Sequence, residues 1–213
     1  MFARSSVEVA VGLEHTEIYT SHGLLSWFVT RPEGMRTRAA IVTCGGAMGG
    51  VLGPGHGLYH RLGSEWASRG VATYRVGYRV PNDLDRCAHD VACAVETAVA
   101  DGAERVVVMG HSFGGAVAIR VAVVMTAEVA GVVTFATQSA GCEVAGALAG
   151  RPLLLFHGDR DEILPMQSSE IVRMIAGHGE LVVVPGDGHL LGRSDEIVIE
   201  RLGEWLPEVL ALT

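Results

Sequence analysis

From residue 39 onward, short runs of β-branched and small apolar residues alternate with longer stretches in which apolar residues recur every third or fourth position. The short runs are AAIVTC, VATYRVGY, RVVVMG, GVVTFAT, PLLLFHG and ELVVVPG. Between and after them come LYHRLGSEWASRG, DLDRCAHDVACAVETAVADG, FGGAVAIRVAVVM, the brief CEVAGALAG, SSEIVRMIAGHG and DEIVIERLGEWLPEVL. A run that is apolar at every position has no solvent face and predicts a strand buried on both sides, whereas the periodic stretches predict helices. Such alternation places helices on both faces of a parallel sheet. The leading segment reads differently: VEVAVGL and LLSWFVT, separated by polar and glycine residues, predict an antiparallel hairpin. The expected fold is α/β, a three-layer α/β/α sandwich whose sheet is mostly parallel with an N-terminal antiparallel hairpin.

Composition narrows the function. With 213 residues, 49 % of them hydrophobic and no low-complexity linker, the chain is expected to form one α/β domain over 1–213. A net charge of −8 repels phosphate backbones and anionic lipid, so neither nucleic acid nor a membrane surface is an expected partner. All 16 basic residues are arginine, which excludes Schiff-base chemistry and a phosphate-loop lysine. The most apolar region, 113–137, is interrupted by Arg120 and Glu128 and falls short of the ~20 apolar residues of a membrane span. Cys44, Cys87, Cys93 and Cys142 form no CxxC pair, and no apolar leader precedes SSVEVAVG, so buried free thiols in a cytoplasmic protein are expected. His56 and His60 have a metal-ligand spacing but lack the intervening glutamate and a third ligand, and read as a helix start near a pocket mouth. No metal or cofactor is expected; the partner left is a small molecule.

In an open parallel sheet, ligands bind beyond the carboxyl ends of the strands, where loops and helix N-termini converge. Here those ends are TCGGAMGG, GHSFGG, HGDRDEILP and PGDGHLL. In GHSFGG a serine sits where an apolar strand turns into an apolar helix. So tight a turn strains its central residue and requires small neighbours, which Gly110 and Gly114 supply; it lifts Ser112 clear of the sheet above the first helix amides. That is a nucleophile's position. A serine hydroxyl needs a base, and the base needs a carboxylate to orient and stabilise it. Asp161 in HGDRDEILP and His189 in GDGHLL follow at successive strand ends.

The order Ser, Asp, His at these positions resembles the α/β-hydrolase family, over nearly the whole chain. Residues 157–165 fit that family's HGxxDxxxP segment with Asp161 as the acid, and His157 falls on its recurrent structural histidine. Asp159 is expected to cap the turn and Asp187 to shape the histidine loop. His111, beside the nucleophile, is expected to line the substrate pocket with Met48. Two backbone donors must stabilise the tetrahedral oxyanion. Phe113 N–H is the first, and Gly46 or Ala47 from CGGAMGG the second. The family often has His-Gly where Cys44-Gly45 stands, and Cys44 is expected to be a small buried residue and not a second nucleophile.

These residues together predict a serine hydrolase that forms an acyl-enzyme on Ser112 and acts on small carboxylic esters or thioesters. The connection at 138–150 is too short for a helical lid, so the chain resembles the small lidless members, including dienelactone-hydrolase-like esterases. Those often use cysteine where this chain has serine. An acyltransferase or perhydrolase using the same triad is the alternative, with a peptidase or a non-enzymatic binder behind it. The sequence leaves the oligomeric state open.

Overall fold

The computed structural model describes residues 3–34, 37–193 and 195–212. Its strands are β1 (Ala3–Ala10), β2 (Leu13–Thr20), β3 (Gly23–Thr30), β4 (Ala39–Cys44), β5 (Val71–Gly77), β6 (Arg105–His111), β7 (Val129–Phe135), β8 (Leu153–Gly158) and β9 (Glu180–Val184). The helices are α1 (Leu58–Ala67), α2 (Leu84–Ala100), α3 (Phe113–Val124), α4 (Gln167–Ala176) and α5 (Asp195–Leu210). All nine strands form one sheet in the order β1-β2-β3-β5-β4-β6-β7-β8-β9. β4 to β9 run parallel, and β3 joins them antiparallel through β5.

Side-chain alternation along the central strands divides the core into two layers. Ala40, Val42, Val106, Val108, Val132 and Leu155 face α2, α3 and α4, represented by Cys87, Val91, Val117, Ile119 and Val172. Ile41, Val107, Met109, Val133 and Phe156 face α1 and α5, represented by Leu58, Leu62, Trp66, Leu202 and Trp205. Both strand faces are dry, which is why these runs carry no polar alternation. The predicted three-layer α/β/α sandwich is the observed architecture. The connection between β7 and β8 holds only a single 3-10 turn, Ala145–Leu148, and no lid. Among the described residues no helix is long and apolar enough to cross a membrane.

The N-terminal region differs from expectation in one respect. It is a three-stranded meander, because LEHTEIYT forms β2 between the two expected strands. The meander extends beyond the helical layers. β1 is exposed along its whole length, and only Thr16 and Ile18 of β2 are buried. A strand wet on one face can carry charged and polar residues, so β2 has the composition of a loop. Polar contacts anchor the meander: Arg4 and Arg31 donate to the Asp101 carboxylate at 2.9 and 2.7 Å, and the Tyr74 hydroxyl donates to it at 2.9 Å. Burial alone would raise the Asp101 pKa, but these donors outweigh it and bring it down to about 2.

Two glycines test how tightly α5 is packed. A Cβ on Gly131 of β7 would lie 2.8 Å from both Trp205 and Val209, whereas one on Gly203, in the middle of α5, meets nothing within 4 Å. Gly131→Ala should therefore cost about 1–3 kcal/mol through overpacking. Gly203→Ala should contribute about 0.5–1 kcal/mol through helix propensity. Thermal unfolding should show Tm falling for the first and rising for the second; an unchanged Tm for Gly131→Ala would contradict the packing of α5 on β7.

Candidate active site

Ser112 occupies the single residue between β6 and α3, with φ 56° and ψ −119°. For a residue with a Cβ, this left-handed backbone costs of order 1–3 kcal/mol and persists only where the surroundings enforce it. Here the enforcement is close backbone contact. A Cβ on Gly110 would lie 1.9 Å from the Gly114 oxygen, and one on Gly114 would lie 2.4 Å from the Gly45 oxygen, so neither site accepts a side chain. Ser112 N–H donates to Phe135 O at 2.8 Å and its carbonyl accepts from Gly115 N–H at 3.0 Å, which pins the elbow to β7 and starts the helix. Phe113 N–H lies in the first turn of α3, where amides have no carbonyl one turn back and the helix dipole is positive.

His189 and Asp161 arrive from the loops after β9 and β8. His189 Nδ1 lies 2.8 Å from Asp161 Oδ2, while Asp161 Oδ1 accepts the backbone N–H groups of Ile163 and Leu164, each at 2.8 Å. Burial alone would push the Asp161 carboxyl up, but these hydrogen bonds hold it below its ordinary value. Buried His157 stands behind the pair. Its Nε2–H donates to Leu164 O at 3.1 Å and lies 3.1 Å from Asp161 Oδ2, and its Nδ1 accepts from the Ser169 hydroxyl at 2.7 Å. The other two aspartates are engaged with turns. Asp159 accepts from Gly186 N–H at 2.6 Å; Asp187 accepts from Gly188 N–H and Arg193 N–H, both at 3.0 Å, within the histidine loop.

Ser112 and His189 line one cavity of about 710 Å³, whose other walls are residues 45–53, His111, Ile163 and Leu190. Met48 is 94 % exposed and stands at the mouth. His111 lines the same cavity from below and is 8 % exposed. Gly46 lies directly against the serine: a Cβ on it would be 3.6 Å from the Ser112 Cβ. Ala47, beside it, also lines the cavity and packs partly onto the core. The Tyr78 hydroxyl donates to Gly45 O at 3.0 Å. In a trans peptide the N–H points opposite to the C=O, so this bond turns the Gly46 N–H away from Tyr78. The Phe113 side chain lies elsewhere, buried edge-on against Tyr78 with ring centroids 6.2 Å apart. Cys44 is 1 % exposed, and burial pushes its thiol up to about 12, which keeps it protonated. Cys93 is only half-buried, unlike the other three free cysteines.

Three contacts at this site carry no signature in the sequence. They are the Tyr78 bond to the glycine loop, a 2.9 Å contact from His111 Nε2 to His189 O, and a 3.4 Å contact from His189 N–H to Glu162 Oε2. Each joins residues far apart in the chain, so no local spacing encodes it.

Known proteins share this fold. The fold is similar to that of Est1E from Butyrivibrio proteoclasticus, with 19 % identity and a TM-score of 0.77 over 92 % of this chain and 99 % of that one. It is also similar to dienelactone hydrolase from Anabaena variabilis, with 16 % identity and a TM-score of 0.74 over 96 % and 98 % of the two chains. Esterase 2 of Thermogutta terrifontis aligns with a TM-score of 0.68 and 19 % identity, over 94 % of each chain. No curated protein matches the sequence. Residues 55–191 match the profile of the Alpha/beta hydrolase family, and the chain belongs to that family.

Proposed function

We propose that this chain is a serine hydrolase that cleaves small carboxylic esters or thioesters through an acyl-enzyme on Ser112. The observation that carries the reading is the strained Ser112 elbow, which shares a cavity with a histidine whose Nδ1 lies 2.8 Å from a carboxylate. His189 Nε2 takes the proton as Ser112 Oγ attacks the ester carbonyl. Asp161 holds the imidazole and stabilises its cation. The oxyanion is met by Phe113 N–H and by an amide from the glycine loop, Gly46 or Ala47, both of which line the cavity, with Gly46 lying against Ser112. Collapse of the intermediate passes the proton from His189 to the leaving group, and water then releases the acid by the same route.

The cavity wall favours a neutral substrate. Among the described residues no arginine, aspartate or glutamate side chain lines it, and its side chains other than His111, Ser112 and His189 are apolar. Solved structures of the Thermogutta terrifontis esterase carry propionate or butyrate, and one of Est1E carries ferulic acid. Carboxylic acids of this kind are the acyl half of an ester, which supports an acyl site of similar chemistry here.

Ser112→Ala should lower turnover of a p-nitrophenyl ester by about 10⁵-fold or more with the fold intact, because triad members act as a unit. Wild-type-like turnover in that variant would overturn the proposal. Asp161→Asn tests the acid more finely. Backbone donors from residues 163 and 164 hold the amide oxygen on their side, so the NH2 faces His189 Nδ1 and donates to it. The ring proton is then forced onto Nε2, which can no longer accept from serine. kcat should fall by about 10⁴, whereas Asp159→Asn and Asp187→Asn should leave this step in place. Near-normal kcat in Asp161→Asn would assign the acid elsewhere.

A further inference from the structure

We propose that His111 is a positioning residue that fixes the distance between nucleophile and base, through a hydrogen bond from its Nε2–H to the main-chain carbonyl of His189. The inference rests on the triad reading above and adds a component to it.

Ser112 is fixed to the sheet by the elbow, but His189 sits on a loop that follows β9, the last strand at the sheet edge. Most of that loop's fastenings are its own or those of neighbouring loops. Asp187 accepts from residues 188 and 193, Leu191 N–H donates to Gly188 O at 3.1 Å, and Gly55 N–H donates to Leu190 O at 2.6 Å. None of these reaches the strand that carries the nucleophile. The His111 bond does: at 2.9 Å it runs from the last residue of β6, adjacent to Ser112, to the peptide of the base itself. His189 is thereby held by its ring through Asp161, by its N–H through the longer 3.4 Å contact to Glu162 Oε2, and by its carbonyl through His111, the one of the three that leads to the nucleophile's strand.

The chemistry of the bond is well defined. A carbonyl only accepts, so the proton must be on Nε2 and Nδ1 is bare. Burial pushes the His111 pKa down to about 4, so the ring is neutral wherever an esterase works. That matters because the two imidazoles are in contact, with centroids 4.9 Å apart at 52°. A charged His111 would oppose the cation that forms on His189 during attack. Neutral and buried, it supplies a donor without that repulsion.

The role predicts that substitutions sort by where they place a donor, not by how well they fill the cavity wall. His111→Gln carries an N–H at about the reach of Nε2, His111→Asn carries one too short to meet the carbonyl, and His111→Leu carries none. The Leu and Asn variants should lose about 10²-fold in kcat with KM within about threefold, the scale of a misplacement near 1 Å. The Gln variant should stay within about tenfold of wild type, and the rate of covalent labelling of Ser112 by a fluorophosphonate should follow the same order. Circular dichroism and Tm identify any variant that fails to fold; the Gln and Asn pair decides the matter without Leu. Equal losses in folded Gln and Asn variants, or a raised KM with unchanged kcat, would overturn the proposal and leave His111 a wall residue. Failure of the wild-type protein to be labelled at Ser112 would instead refute the triad reading, and this inference with it.

Discussion

The site depends on one constraint, the close approach of backbone around the Ser112 elbow. The chain leaves β6, turns within one residue at positive φ, and enters α3 against the Gly45 carbonyl. That approach is possible only because positions 110 and 114 carry no Cβ. It fixes three things at once: the direction of the serine side chain, the location of the first α3 amide, and the seat of the glycine loop across from it. A strained residue is stable only inside a rigid frame, and the frame here is a central sheet buried on both faces.

The remaining chemistry is brought to that fixed point by loops. Asp161 and His189 come from the two strands at one edge of the sheet, where fewer elements hold them. Local hydrogen bonds compensate. The Asp161 carboxylate is saturated by backbone donors on one oxygen and by His189 on the other, and His111 ties the histidine loop back to β6. On the proposed reading, the site is organised as a rigid nucleophile to which a fastened base is referenced. Its polar groups converge from below, while the outer wall of the cavity is glycine and apolar side chains.

Much of this was legible in the sequence because burial leaves a pattern. The central strands are dry on both sides and read as continuous apolar runs; α5 was bounded at Asp195 and Leu210 by its own periodicity. Ser112, Asp161 and His189 stand at strand ends with recognisable neighbours, and the structure brings Asp161 and His189 into hydrogen-bond contact. What the sequence hid was wet or remote. β2 was missed because a half-exposed strand such as LEHTEIYT has the composition of a loop, with only Thr16 and Ile18 turned inward. The choice among amides of the glycine loop was hidden because backbone N–H groups have no letter in a sequence. The His111 and Tyr78 contacts were hidden because they join residues 78 and 33 positions apart.

The central claim is that a covalent acyl-enzyme forms on Ser112. Rapid quenching of the wild-type protein with p-nitrophenyl acetate, followed by intact-mass and peptide mass spectrometry, tests it most directly. Acylation at Ser112 predicts a burst of p-nitrophenol equal to the protein concentration, and an acetyl group on the peptide containing Ser112 that disappears as turnover proceeds. Steady hydrolysis with no acetylated peptide, or an acetyl group on Cys44 or any other residue in place of Ser112, would contradict it.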